Sequence, residues 1–115
     1  MIKAREIALL GASAASGKKA SGVVMLDMRK LTGFTDYFLI CSGDTNVQVR
    51  AIADAVIGDL KKRKVRALHV EGYEEARWVL LDYGDMVVHI FHPELRKFYQ
   101  LEKLWADAPK KIIRS

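Results

Sequence analysis

The segment Tyr37–Ser42 constrains the fold more than any other part of the chain, because it is apolar at nearly every position. A strand with one face in water alternates apolar and polar residues, whereas a continuous apolar run belongs to a strand that is covered on both faces. Helices are the usual cover for such a strand. The run therefore predicts a layered α/β structure with helices above and below a central strand.

The stretch after this strand predicts the clearest helix of the chain. Thr45 and Gln48 have the form of a capping box at its start, and cations beginning at Lys61 follow its C-terminal end, where the helix dipole favours them. Start and end agree with the periodicity, because the apolar residues between them recur at the spacing of one helical face. These residues are Val49, Ile52, Ala53, Val56, Ile57 and Leu60.

Shorter patterns predict the remaining elements. Helices are expected from Ile2 to about Ser16 and from Pro93 onwards, the second with Leu95, Phe98, Leu101, Leu104 and Trp105 available for its buried side. Strands are expected at Val23–Met28, Ala67–Val70, Trp78–Asp82 and Met86–Phe91. Because Tyr83–Asp85 is short enough for a hairpin turn, the last two strands should pair. The predicted order is αββαβββα, with a mixed five-stranded sheet flanked by helices.

Length and composition favour a single globular domain. The 115 residues would give two domains too little core each, and 50% hydrophobic with 29% charged residues is not the balance of a disordered chain. No apolar run approaches the roughly 20 residues that span a bilayer, and the N-terminus lacks a secretory signal pattern. The single cysteine, Cys41, lies in an apolar run, which predicts a buried thiol in a reducing cytosol rather than a nucleophile.

Positive charge is concentrated in two places, within a formal net charge of +5. One is the run Lys61, Lys62, Arg63, Lys64 and Arg66, and the other is the end of the chain from Lys110 to Arg114. The first run is interpreted either as the solvated end of a helix, which we favour, or as an RNA contact. The acidic excess between Glu71 and Asp85 argues against a continuous DNA-binding stripe.

An enzyme is one alternative interpretation. Asp44, Asp82 and Asp85 are carboxylates of the kind that a metal-dependent nucleotidyltransferase uses to hold a divalent cation. Their spacing is unfavourable, because Asp85 is better placed to stabilise the hairpin turn through its side chain. His89 and His92 are three residues apart, and strand alternation sends them to opposite faces, so they do not form a zinc site. We predict no catalytic residue, no metal and no cofactor.

The hairpin concentrates large side chains, namely Trp78, Leu80, Leu81, Tyr83 and Met86. Such a set anchors a protein partner when it is exposed and fills the core when it is buried. Strand alternation lets about half of the set face inward on a one-sided sheet. From these residues alone, core and interface therefore remain equally good interpretations.

Five strings occur in one order along the chain: Asp36–Gly43, Gln48–Asp54, Glu71–Tyr73, Trp78–Phe91 and Arg96–Trp105. Taken together, from roughly residue 4 to residue 105, they resemble the ribosomal silencing factor family, also called Iojap-like. On this basis we expect a domain over residues 1–107 and a basic C-terminal tail over residues 108–115. The resemblance implies a small α/β fold related to nucleotidyltransferases but without their catalytic site.

The resemblance also implies a function and partners. Proteins of this family bind the large ribosomal subunit through ribosomal protein fourteen and block its joining to the small subunit, which represses translation; free members are generally homodimers. Because the similarity begins close to Met1 and leaves no room for a transit peptide, we expect a bacterial cytosolic protein without membrane contact.

The surface carried over from the family comprises Trp78, Leu81, Asp82, Tyr83, Gly84, Asp85 and Met86 on the hairpin and Tyr99 on the last helix. Its apolar groups are expected to supply desolvation, while its carboxylates meet basic groups of the ribosomal protein. A contact between ribosomal RNA and the Lys61–Arg66 run is a further alternative for binding. The three cations of the tail over residues 108–115 are interpreted either as another contact with ribosomal RNA or as solvated charges.

Overall fold

The computed structural model describes residues 2–113. Its elements are α1 (Ala4–Gly17), β1 (Ser21–Asp27), β2 (Tyr37–Ser42), α2 (Asn46–Lys62), β3 (His69–Glu71), β4 (Trp78–Asp82), β5 (Met86–Phe91), α3 (Pro93–Tyr99), α4 (Leu101–Leu104) and β6 (Lys110–Ile112). The strands form one sheet in the order β3-β4-β5-β2-β1-β6. The β2 and β5 strands pair in parallel, and the other neighbouring pairs are antiparallel. The expected mixed α/β sheet is confirmed.

The β2 strand lies at the centre of the sheet, and all six of its side chains are buried. Tyr37, Leu39 and Cys41 belong to a core shared with α1 and α2. Phe38 and Ile40 belong to a second core on the other face, against which Leu95, Leu101 and Trp105 pack. The prediction from the continuous apolar run is therefore confirmed: this strand is covered on both faces.

The capping box of α2 is present. The side chain of Thr45 accepts a hydrogen bond from the Gln48 backbone N–H at 3.1 Å. The Gln48 Oε1 accepts from the backbone N–H of Asp44 at 2.6 Å, one residue before the cap. The Gln48 amide nitrogen also donates to the carbonyl oxygens of Lys18 and Lys19, so this one side chain ties the start of α2 to the residues after α1.

The sheet has six strands rather than the predicted five. The additional strand, β6, lies in the segment that we predicted to be a basic C-terminal tail, and it pairs with β1 from Val24 to Leu26. Ala108, just before it, is buried in the second core. All three β6 side chains are exposed, as is common on an edge strand, so no apolar pattern indicates it. Arg114 and Ser115 of the predicted tail lie outside the described residues.

The single helix predicted from Pro93 is interrupted. Gln100 adopts the left-handed conformation, with φ of +47°, and separates α3 from α4. This break changes which side chains face the sheet, so that Phe98 is 77% exposed and Leu104 is 70% exposed. The expectation that both would be buried is wrong, and the consequence is exposed apolar surface beside the hairpin.

One arginine fastens α3 to the sheet. The Arg96 guanidinium donates to the carbonyl oxygen of Gly22 at 2.7 Å, to the hydroxyl of Ser42 at 3.0 Å and to Glu102 at 2.9 Å. Its side chain is 17% exposed, so these charge-assisted bonds are shielded from much of the solvent. Arg96 thus holds the two short helices over the ends of β1 and β2. No helix within residues 2–113 has the length and apolar character to cross a membrane.

Candidate protein-docking surface

Strand alternation divides the hairpin side chains between the two faces of the sheet. Along β4, Val79 and Leu81 are fully buried in the core with α1 and α2, whereas the residues on either side of them are partly buried. Trp78 and Leu80 pack at the margin of the second core. The surface predicted from the hairpin is therefore separated into an inner and an outer set.

The outer set joins α3 in a continuous group of rings. The Trp78 ring centroid lies 4.9 Å from that of Phe91 and 4.9 Å from that of Tyr99. Phe98 meets Tyr99 edge to face at 5.0 Å and is itself largely exposed. We call this group the aromatic face and define it as Trp78, Leu80, His89, Phe91, Phe98 and Tyr99. It runs from a buried base at Phe91 to exposed rings on α3.

A buried histidine fixes the orientation of the tryptophan. The Trp78 Nε1–H donates to Nδ1 of His89 at 3.1 Å, so the neutral imidazole carries its own proton on Nε2. His89 is 5% exposed, and its Nε2 has no hydrogen-bond partner among residues 2–113. Burial lowers the pKa of His89 to about 4 from its ordinary value of 6.5. The Trp78–His89 pair is therefore uncharged at neutral pH.

We expect the stability of the protein to fall between pH 6.5 and pH 4. An unfolded histidine binds a proton below its ordinary pKa of 6.5, whereas folded His89 stays neutral down to about 4. Its contribution is therefore fully present above pH 6.5 and is lost as the pH falls towards 4; a lowering of this size corresponds to about 3 kcal/mol. Urea unfolding at several pH values measures this loss.

His89→Gln should remove most of this slope, because glutamine does not titrate. His69 is exposed on β3, and His69→Gln should leave the slope unchanged. Equal slopes for the unchanged protein and for His89→Gln would contradict this assignment. The lowered pKa of Asp27, caused first by its hydrogen bond with Arg29, acts below the ordinary Asp value of 3.8 and so lies outside this pH range.

Three residues of the predicted surface are buried in the core. Leu81 and Met86 are 0% exposed, and Tyr83 is 9% exposed. Burial raises the pKa of Tyr83 to about 12, and its hydroxyl has no partner among residues 2–113. These side chains pack beneath the hairpin, on the side that faces α1 and α2. We predicted that they would lie on the docking surface, but they do not reach it.

The hairpin turn carries the carboxylates. Asp82 Oδ1 accepts from the backbone N–H of Gly84 at 2.8 Å, and Gly84 has a φ of +82°. We expected Asp85 to stabilise the turn through its side chain, but the side chain that does so is Asp82. Asp85 is exposed in the turn, and Asp82, the last residue of β4, lies about 14 Å from Trp78 along the strand, given a rise of about 3.4 Å per residue. Tryptophan and turn therefore mark the two ends of one elongated surface.

The groups considered for catalysis do not converge. Asp44 is exposed before α2, and Asp82 is engaged in the turn described above. Among residues 2–113, no group of three or more His, Cys, Asp and Glu side chains is placed to hold a metal ion. Cys41 is fully buried, and burial raises its pKa to about 12, which disfavours the reactive thiolate. The predicted burial of this thiol is confirmed.

The basic run that was considered as an RNA contact lies on the surface of the protein. Every member of the run Lys61, Lys62, Arg63, Lys64 and Arg66 is exposed, between the end of α2 and β3. An RNA contact there stays a prediction.

The docking surface predicted from the sequence omits Leu80 of the aromatic face, although the spacing of two between Leu80 and Trp78 indicates the same strand face. It also omits Phe98, whose exposure follows from the break at Gln100, for which the sequence contains no signal that we recognise.

Comparison with known proteins gives consistent matches. The family model described as "Ribosomal silencing factor during starvation" matches residues 2–114, and so includes β6. Ribosomal silencing factors from Halalkalibacterium halodurans and Bacillus subtilis are 46% and 44% identical over 105 residues, which are 91% of this chain and 90% and 89% of theirs. These relatives are named as silencing factors and not as enzymes.

Two further matches concern structure and a more distant relative. A crystal structure of a Chromobacterium violaceum protein superposes with a TM-score of 0.89 at 34% identity, covering 99% of this chain and 95% of that one. A mouse protein named "Mitochondrial assembly of ribosomal large subunit protein 1" is 37% identical over 75 residues, which are 63% of this chain and 33% of its own. By family model, sequence and fold, this chain belongs to the ribosomal silencing factor family.

Proposed function

We propose that this protein binds the large ribosomal subunit through ribosomal protein fourteen, and that its bulk then prevents the small subunit from joining. Bound protein represses translation by occupying space and performs no chemistry. The aromatic face is the anchor of the complex. The observation that carries this proposal is the exposure of Phe98 and Tyr99, at 77% and 48%, directly beside the partly buried Trp78.

The composition of this surface suits a protein partner. Aromatic residues are enriched at protein interfaces, and binding energy is concentrated where such rings become fully desolvated. Trp78 is already supported by Phe91 and held by His89, so it loses little conformational freedom on binding. A rigid aromatic base flanked by exposed rings is therefore a suitable anchor.

The carboxylates at the other end of the surface suit a basic partner. Asp85 is exposed, and Asp82 is partly buried with its orientation fixed by the turn. Charges at the rim of an interface mainly guide association and select the partner, whereas the apolar centre determines the dissociation rate. We assign the carboxylates to selection of a basic ribosomal surface and the aromatic face to retention on it.

The family names support the ribosomal part of the proposal. Bacterial relatives over nine tenths of the chain carry the name ribosomal silencing factor, and the mouse relative is named for assembly of the large subunit. Because these silencing-factor relatives are bacterial, we place the protein in a bacterial cytoplasm. In the absence of ribosomes, we propose that two copies associate as a homodimer, which would cover exposed apolar groups.

Gradient sedimentation tests this proposal. The protein should migrate with isolated large subunits and not with isolated small subunits. Phe98→Ala should weaken binding to large subunits roughly tenfold, since it removes an exposed ring from the anchor. Val47→Ala is the matched control, because Val47 is 71% exposed at the start of α2, away from the aromatic face, and this change should have no effect. Equal binding by Phe98→Ala and the unchanged protein would contradict the assigned anchor.

A further inference from the structure

A concave surface separate from the aromatic face lies where α1 begins, β1 ends and β6 starts. Three adjoining cavities of about 400, 280 and 300 Å³ open there, and all three are lined by Arg29. Their walls carry six cationic residues: Lys3, Arg5, Arg29, Lys30, Lys110 and Lys111. We call this surface the basic cleft and define it by these six residues. Two of its lysines are on β6, so the cleft depends on the strand that the sequence did not predict.

The positive charge of the basic cleft exceeds its negative charge. Its walls contain two carboxylates, Asp27 and Asp36, against the six cations. Asp27 is already engaged by Arg29 through bonds of 2.9 and 2.6 Å. The other five cations are exposed, and within residues 2–113 none of them has a carboxylate oxygen within 4.0 Å. These five charges are therefore free to meet an external anion.

The arrangement favours a polyanion over an acidic protein. A protein interface normally has an apolar centre. Of the apolar residues that line the cleft within residues 2–113, Met25 and Tyr37 are buried, Ala4 is partly buried and Pro109 is exposed, so the cleft presents no large apolar side chain. The cations instead extend over three cavities, which suits a ligand carrying several phosphates along a backbone. Binding of that kind rests on charge neutralisation and needs no apolar anchor.

The cleft also adjoins the docking surface. The carbonyl oxygen of Asp85, in the hairpin turn, accepts from the backbone N–H groups of Asp36 and Tyr37, which line the cleft. A ribosomal protein held on the aromatic face would therefore bring neighbouring ribosomal RNA towards these cations. We propose that the basic cleft binds the phosphodiester backbone of ribosomal RNA. This inference rests on the proposed function for the identity of the RNA, and it assigns the RNA contact to a different surface from the Lys61–Arg66 run.

The test measures binding of a fluorescently labelled, single-stranded RNA to the full-length protein by anisotropy, from about 50 to 200 mM KCl. The cleft variant is Arg5→Gln, Lys30→Gln and Lys111→Gln combined. The matched control is Lys61→Gln, Arg63→Gln and Arg66→Gln combined, which removes the same charge from exposed positions elsewhere. We expect the cleft variant to bind roughly tenfold more weakly with a salt dependence shallower by about 2, and the control to change less than about threefold.

Equal weakening by both variants would overturn the proposal, because it would show binding to net charge alone. Tighter binding of polyglutamate than of RNA would also overturn it and identify the cleft as a protein-docking surface. Binding of each variant to isolated ribosomal protein fourteen is measured in parallel and should be unchanged. Failure of the unchanged protein to bind ribosomal protein fourteen would contradict the proposed function, while the RNA measurement would still decide the role of the cleft.

Discussion

Trp78→Ala is expected to weaken binding to the large ribosomal subunit by roughly 30- to 1,000-fold, the range of a central aromatic anchor. The indole contributes the largest ring of the aromatic face and packs against Phe91 and Tyr99 at tilted angles, with centroid distances of 4.9 Å to each. Its removal also leaves Nδ1 of His89 without its donor. Direct binding of labelled protein to purified large subunits measures the effect.

Trp105→Ala controls for lost stability. Trp105 is the other tryptophan of the chain, is also partly buried and packs on the same core through Phe38, at a centroid distance of 6.2 Å. Both substitutions should lower the free energy of unfolding by about 2 kcal/mol or more, since each removes a partly buried ring. We expect Trp105→Ala to weaken binding by less than about tenfold. Equal losses of binding affinity for the two folded variants would show that Trp78 acts through stability and not as the anchor.

Gly72→Ala is expected to be the most destabilising small substitution in the hairpin region. Gly72 has a φ of +77°, and a Cβ there would lie 2.1 Å from the carbonyl oxygen of Trp78. Backbone atoms of β4 would have to move, and Glu71 would lose its pairing with Leu80. We expect a loss of about 3 kcal/mol or more, which lowers Tm by roughly 10 to 20 °C in a domain of this size.

Gly58→Ala provides the contrasting result. Gly58 lies within α2, has no positive φ, and a Cβ there would meet no heavy atom within 4 Å. The same chemical change should therefore stabilise the protein by about 0.5 to 1 kcal/mol through helix propensity. Thermal unfolding of the two variants measures both effects. Destabilisation of similar size at the two positions would contradict the local account given for Gly72.

The sequence predicts the central strands best, because burial on both faces leaves a continuous apolar pattern. The bounds of Tyr37–Ser42, Trp78–Asp82 and Met86–Phe91 are confirmed residue for residue. β6 escapes prediction because its role is backbone pairing at an exposed edge, and its sequence is mainly cationic. The cations Lys110 and Lys111 therefore indicate a solvated tail when the sequence is considered alone, and only the pairing with β1 identifies them as part of a strand.

The candidate surface is predictable in part. The family resemblance selects Trp78 and Tyr99, and the structure brings their rings together. Strand alternation counted from Trp78 would have placed Leu81 and Tyr83 on the buried side, so that information was present in the sequence. The exposure of Phe98 could not be predicted from the sequence, because it depends on the left-handed conformation of one residue, Gln100.

Subunit joining followed by light scattering tests the central claim most directly. Purified large subunits are first saturated with the protein, and small subunits are then added under conditions in which free subunits associate. We expect the extent of joining to fall in proportion to the large subunits occupied, and Trp78→Ala at the same concentration to restore it. Normal joining of large subunits that demonstrably carry the protein would contradict steric exclusion.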